Sequence, residues 1–373
     1  MAPRYNKKNL SASGPLGQAA LAKLHAADDC VIGHTDTGYT WHPVFGDWSR
    51  AGPANLLRDV GYDFVLDQPG SIDPLPPKSL VDWPGHGTRT LSLMVGAVPG
   101  KLIGVAPGAK VMPFRVTDSP VFDLSPDSTR NLGRAIDFIL DYSNLADRVK
   151  VISISLGIPG WPLGPIRALG EAIDRAYEAG VIVVAAAGQQ FDRVTYPGRY
   201  FRTIGVGAVY EDGTVWDKHA VGEESLYVDC YALGADVQRA NSYREADDQP
   251  AGDPNGPPPH ICYSDDDPDG GDEHRPHSGT SYATEQVAAI AALWRVHRDG
   301  DIRAKYGTRS PLVTEAFRRL VKTTSSVIEG TSRFADVARV VDVEALLNAP
   351  LPDAGNGPDE VAASPYLAAN QEG

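Results

Sequence analysis

Two hydrophobic periodicities take turns along this chain, and their exchange leaves little choice of architecture. Val31-Ile32-Gly33-His34-Thr35-Asp36, Val111-Met112-Pro113-Phe114-Arg115-Val116, Val149 to Leu156 and Val181 to Ala187 are short apolar runs rich in β-branched residues. Such runs mark strands buried on both faces. Between them the apolar residues recur at helical spacing: Leu132, Ala135, Ile136, Ile139 and Leu140 within Asn131 to Ser143, then Ile166 to Ala179. Further helical runs read as Pro15 to Ala26, Leu91 to Ala97, Glu285 to Trp294, Pro311 to Val321 and Val341 to Leu347. Strands alternating with helices predict an α/β fold, a mostly parallel sheet with helices on both faces. At 373 residues the chain can bury a large core within one domain. We expect that domain over residues 1–349, with insertions at about 47–80 and 240–275 where Pro, Gly and Asp displace the periodicity. The tail over residues 350–373 is Pro-, Gly- and acid-rich, the composition of a disordered segment.

Lysine and arginine total 34 against 48 acidic residues, a formal charge of −14. That balance argues against nucleic acid or an anionic membrane as partner and favours cationic peptides. Glu245 to Glu273 concentrates ten acidic residues with no Lys or Arg, so an acidic surface insertion is expected there. No run of 18 apolar residues occurs, and Met1 to Lys8 leads into no hydrophobic segment. The expectation is a soluble, cytoplasmic protein, or a secreted one if a leader has been removed. Cys30, Cys230 and Cys262 match no zinc spacing. Cys30 reads as a buried strand thiol, while a Cys230–Cys262 disulfide is open to a secreted form. Asp265 to Gly270 opens like a calcium loop, but Pro276 stands at the twelfth position, where a bidentate glutamate belongs. No cofactor is expected to be required, with calcium only a weak candidate.

Three polar residues stand where acyl-transfer chemistry would need them. Ser281 follows Gly279-Thr280 and precedes the Ala-rich helical run, so it sits at a helix N-terminus, where free amides and the positive dipole end stabilise negative charge. Asp36 closes a strand, with Gly38 turning the chain away. His86, in Gly85-His86-Gly87-Thr88, opens another helical run. A serine hydroxyl is a poor nucleophile until a base takes its proton, and that base needs a partner to fix its tautomer.

In this order, Asp36-Thr37-Gly38, His86-Gly87-Thr88 and Gly279-Thr280-Ser281-Tyr282-Ala283 resemble the motifs of the subtilisin-like serine proteases, the subtilases. The resemblance runs from about Gly17 to Asn348. It implies a subtilisin-like three-layer fold and a serine endopeptidase acting on peptides or proteins. It also implies Asp36, His86 and Ser281 as the triad, and Ser155-Leu156-Gly157 as the edge that pairs with an extended substrate. Ala186, Ala187 and Gly188 would line the other side of the first specificity pocket. His42-Pro43 resembles a structural pair of the family, and His34, on the strand face of Asp36, reads as structural too. Gln189 stands where the family has an asparagine that donates to the oxyanion; glutamine keeps the donor on a longer arm. Leu233, Arg89 and Glu285 are further departures, Glu285 replacing a proline. The alternative these departures raise is a non-catalytic, peptide-binding relative with a degenerate oxyanion hole. An α/β-hydrolase is excluded, since neither its G-x-S-x-G motif nor its residue order is present.

Overall fold

The computed structural model of the chain describes residues 12–27, 29–46, 55–75, 85–99, 102–120, 126–141, 147–157, 165–189, 193–217, 227–243, 260–263, 278–329 and 337–353. Its helices are α1 (Pro15–Ala26), α2 (His86–Val95), α3 (Pro126–Asp141), α4 (Pro165–Glu178), α5 (Thr280–His297), α6 (Asp299–Tyr306), α7 (Leu312–Thr324) and α8 (Val343–Asn348). The strands up to the middle of the chain are β1 (Val31–Asp36), β2 (Tyr62–Asp63), β3 (Gln68–Pro69), β4 (Ala97–Val98), β5 (Leu102–Ile103), β6 (Lys110–Arg115) and β7 (Val149–Ile154). Those that follow are β8 (Ile182–Ala186), β9 (Ile204–Val209), β10 (Cys230–Leu233), β11 (Ala240–Tyr243), β12 (His260–Tyr263), β13 (Ser326–Glu329) and β14 (Val337–Val340).

Ten strands make one sheet in the order β13-β14-β10-β9-β8-β7-β1-β6-β2-β3. Pairing is parallel from β14 through β2 and antiparallel only at the two edges. This is the predicted α/β architecture. Alternate residues of the central strands enter opposite cores, as the pleat requires. Val31, Ile152, Val183 and Ala185 pack with Leu132, Ile136 and Ile139 of α3 and Leu169 and Ile173 of α4. Ile32, Val151, Ile182 and Val184 pack on the other face with Leu24 of α1, Leu91 of α2 and Val287 and Ile290 of α5. That parity fixes the chemistry of the second face: His34 and Asp36 share the side of Ile32, and Ser153 and Ser155 that of Val151. All four therefore point toward α2 and α5.

Helix α5 is the axis of this layer. Residues Tyr282 to Arg295 are all buried, and its alanines let the backbone lie close against β7, β8 and β9 on one side and α1 and α2 on the other. Helix α2 begins at His86, five residues before the apolar run that announces it. Gly85 is the reason: it caps the helix in the left-handed region at φ 76°, and a Cβ there would come within 2.4 Å of Ser242 O. Ala97, read as the end of that helix, belongs to the β4 hairpin instead.

The insertions are partly built into the fold. Residues 55–75 supply β2 and β3 at the sheet edge, and β11 and β12 form an antiparallel pair against α2. Most of Glu245 to Glu273, with the candidate calcium loop, and the tail after Asp353 lie outside the described residues. At the start of that tail, Lys305 Nζ pairs with Asp353 at 2.9 Å and Tyr306 donates to Pro352 O. Cys30 and Cys230 are buried free thiols, so the disulfide considered for Cys230 does not form. No described helix is long and apolar enough to cross a membrane.

Candidate active site

Asp36 ends β1, a central strand flanked by β6 and β7, at the carboxyl edge of the parallel sheet. His86 drops onto it because Gly87 lets the first turn of α2 press against Gly38; a Cβ on Gly87 would lie 1.9 Å from Gly38 O. The result is a hydrogen bond of 2.7 Å between His86 Nδ1 and Asp36 Oδ1. Thr37 N donates to the same oxygen at 2.7 Å, and Thr90 Oγ1 donates to Oδ2 at 3.1 Å. Burial alone would push the Asp36 carboxyl up, but the His86 ring, its hydrogen bond, His34 and the Thr37 amide together hold it below the usual carboxylate range. An ionised Asp36 takes the Nδ1 proton as its hydrogen-bond donor and leaves Nε2 with the free lone pair.

Ser281 is the second residue of α5. Its hydroxyl donates to Ser155 O at 2.9 Å, and Ser155 Oγ lies 3.2 Å from Ser281 O. Among the described residues it makes no hydrogen bond to His86. Both side chains open on one cleft, which Ser155, Gly157, Gly188 and Gln189 also line. Leu156 and Ala187, expected as substrate contacts, do not line it: their side chains are buried, Leu156 in the core under α3 and α4 and Ala187 in the opposite one.

Gln189 Oε1 accepts from Thr280 N at 3.3 Å, and Thr280 Oγ1 accepts from Gly188 N at 3.2 Å. Anchoring the amide oxygen leaves its NH2 as the group free to serve the cleft. Gly188 has φ 93°, and Thr195 blocks any side chain there, since a Cβ would meet its Oγ1 at 2.4 Å. A Cβ on Gly157 would meet the same atom at 2.9 Å. Thr195 thus stands between the two walls of the cleft.

Behind Asp36 and His86 lies a buried polar group that the motifs do not announce. His34 Nε2 bonds Thr90 Oγ1 at 3.1 Å and lies 3.9 Å from Asp36 Oδ2 and 3.6 Å from Glu285 Oε1. Ser155 Oγ donates to Glu285 Oε1 at 2.5 Å. Glu285 is 0% exposed. These three ligand-capable side chains, His34, Asp36 and Glu285, lie within 4.8 Å of one another. His42, by contrast, is purely structural: it is fully buried, and its Nδ1 accepts from Val44 N at 3.1 Å. Thr195 was missed by sequence reading as part of this region, and Glu285 was read only as a departure near the site, without its buried partners. The signal for Glu285 was the proline it replaces; Thr195 carried none.

The family model of the subtilase family, Peptidase S8, matches residues 28–336. Among curated proteins, the major intracellular serine protease of Bacillus subtilis is 30% identical over 158 residues, 40% of this chain and 44% of that protein. Subtilisin Savinase of Lederbergia lenta is 25% identical over 262 residues, 69% of this chain and 73% of that protein. The chain matches 25% to 52% of the length of several other relatives, the minor extracellular protease Epr of Bacillus subtilis among them. A solved protease from Pseudoalteromonas arctica superposes with a TM-score of 0.63 at 20% identity, covering 92% of this chain and 94% of that one.

Proposed function

The chain belongs to the subtilase family, and from that premise we propose that it is a serine endopeptidase that cleaves peptide bonds through an acyl-enzyme. The observation that carries this reading is the 2.7 Å bond from His86 to a buried, ionised Asp36 in a cleft shared with Ser281. Substrate lies extended along Ser155 to Gly157. Its backbone N–H competes for Ser155 O, which releases the Ser281 hydroxyl to turn toward His86. Ser281 Oγ then attacks the scissile carbonyl carbon while His86 Nε2 takes its proton, and Asp36 stabilises the imidazolium. The oxyanion is held by the Ser281 amide, at the dipole-positive end of α5, and by the Gln189 NH2. Collapse expels the amine, which takes the proton from His86. Water then repeats the sequence on the ester and frees Ser281.

The small recess beside Thr195 favours a small side chain at the residue before the scissile bond, because a larger one would have to displace the threonine. Protein substrates follow from the family; which proteins is a matter of that recess.

One observation favours a second reading, a non-catalytic peptide binder: the hydroxyl of Ser281 rests on Ser155 O and not on His86. Steady-state peptide hydrolysis by wild type and Ser281→Ala, with circular dichroism to confirm the fold, decides between them. The protease reading expects a loss on the order of 10⁶ in kcat with an unchanged spectrum, the scale of removing a triad nucleophile. Equal turnover in both would sink it.

A further inference from the structure

Glu285 lies one helical turn beyond Ser281 on the same face of α5, and its burial is complete. The ionisable groups facing it from the packed elements are His34 and Asp36 on β1, with His86 of α2 beyond them. Lys150 of β7 and Arg295 of α5 belong instead to the surroundings of Cys30, and Arg89 of α2 bonds Asn241. Among the described residues no lysine or arginine pairs with Glu285. Two buried carboxylates without a cation between them cannot both stay ionised; one takes a proton. Asp36 accepts three hydrogen bonds and faces His86, so the proton falls elsewhere.

His34 is not its holder. An imidazolium beside a carboxylate closes to about 2.8 Å, whereas His34 Nε2 stays 3.6 Å from Glu285 Oε1 and bonds Thr90 instead. Burial pushes His34 down to about 4 and pushes Glu285 up to about 8. Glu285 Oε2 and Ser153 Oγ are both buried without a hydrogen-bond partner of normal geometry, and Ser153 interacts with this carboxyl, so a proton on Oε2 has an acceptor at hand.

We propose that Glu285 is a positioning residue that works as a neutral carboxylic acid. Its Oε1 accepts the Ser155 hydroxyl, its Oε2–H turns to Ser153 Oγ, and the acid so held clamps the end of β7 to the nucleophile's helix. Through Ser155 it sets two things at once: the carbonyl on which Ser281 rests and the start of the edge that receives the peptide. Being uncharged, it leaves Asp36 the sole anion beside His86. The kinetic part of this inference rests on the protease reading above; the proton on Glu285 does not.

Infrared difference spectra of the full chain, wild type against Glu285→Gln, read the proton directly. Between pH 5 and 7 the wild type should show the carbonyl stretch of a protonated carboxyl, absent from the variant. The pH dependence of kcat/KM reads the charge. Glutamine keeps both hydrogen bonds, so kcat/KM should fall less than about tenfold and the acid limb, which reports His86, should not move. Glu285→Leu removes both bonds and should fall about tenfold to a hundredfold. If Glu285 were ionised, removing its charge would weaken the imidazolium and shift the acid limb of the glutamine variant to lower pH. That shift, or a missing carboxyl band, overturns the proposal. Should no form hydrolyse peptides, the protease reading fails and the infrared band still decides the proton.

Discussion

At Gln189 the account is decided by one methylene. The amide oxygen is anchored on Thr280 N, which directs the nitrogen to the cleft, so Gln189→Ala should lose on the order of 10²–10³ in kcat with little change in KM. Steady-state kinetics on one good peptide measures this; equal kcat in both forms would remove Gln189 from the mechanism. Asparagine at the same position cannot reach both Thr280 and the oxyanion from the present backbone, so Gln189→Asn should be slower than wild type. Asp36→Asn should cost about 10⁴ in kcat, because an amide presents the wrong partner to Nδ1 and turns the imidazole's lone pair away from the serine. Asp36, His86 and Ser281 could be picked out in the sequence because each sits in a short motif dictated by backbone geometry. Gly38, Gly85 and Gly87 are needed for the chain to approach itself closely. Glu285 had no such motif. Its role depends on His34, Ser153 and Ser155, brought to it from two strands by the pleat.

Among the elements, those with a sustained period were legible and those without were not. Helices α1, α3, α4 and α7 and strands β1, β7 and β8 carry clear apolar repeats, so their existence follows from the residues; α1 and β1 have the ends read from the sequence, and the ends of the others differ by a few positions. Strands β2 and β3 are two residues each, too short for any period, and exist because β6 offers an unpaired edge. The β11–β12 pair joins residues far apart in sequence and leaves no local trace. Thr195 belongs to the same class, since it meets Gly157 and Gly188 only after β7, β8 and the loop before β9 have assembled. Thr195→Gly should open the recess between those glycines. The ratio of kcat/KM for a substrate with a phenylalanine before the scissile bond to one with an alanine there should rise by about tenfold or more. A profiling library measures it, and an unchanged ratio would mean that the threonine does not limit the pocket.

Over the whole molecule, the buried pair of His34 and Glu285 makes folding stability depend on pH with a definite sign. Glu285 is raised to about 8 in the fold from an ordinary 4.5, so the native state holds its proton longer than the unfolded chain. Its contribution is full below pH 4.5 and is lost as pH rises toward 8. His34 is lowered to about 4 from 6.5, so its contribution is full above pH 6.5 and is lost as pH falls toward 4. Between about pH 4.5 and 6.5 the two slopes oppose and largely cancel. From 6.5 to 8 only Glu285 acts, and stability should drop by about 1.4 kcal/mol per pH unit from this group. Denaturant midpoints at pH 5, 6.5 and 8 test this. Glu285→Gln should gain on wild type steadily across the series, and parallel curves would show that the carboxyl does not titrate in that range.

The central claim is that Ser281 is a nucleophile activated by His86 and reached by a peptide lying along Ser155 to Gly157. Its most direct test is labelling with a serine-directed phosphonate, once attached to a short peptide with a small side chain at the reactive position and once bare, followed by intact mass and peptide mapping. The account predicts one adduct per chain, on Ser281, formed much faster by the peptidyl reagent because the peptide displaces the Ser281 hydroxyl from Ser155 O. Labelling should vanish in Ser281→Ala and fall sharply in His86→Ala. A folded wild-type chain that takes up no label, or takes it up on a residue other than Ser281, would contradict the account.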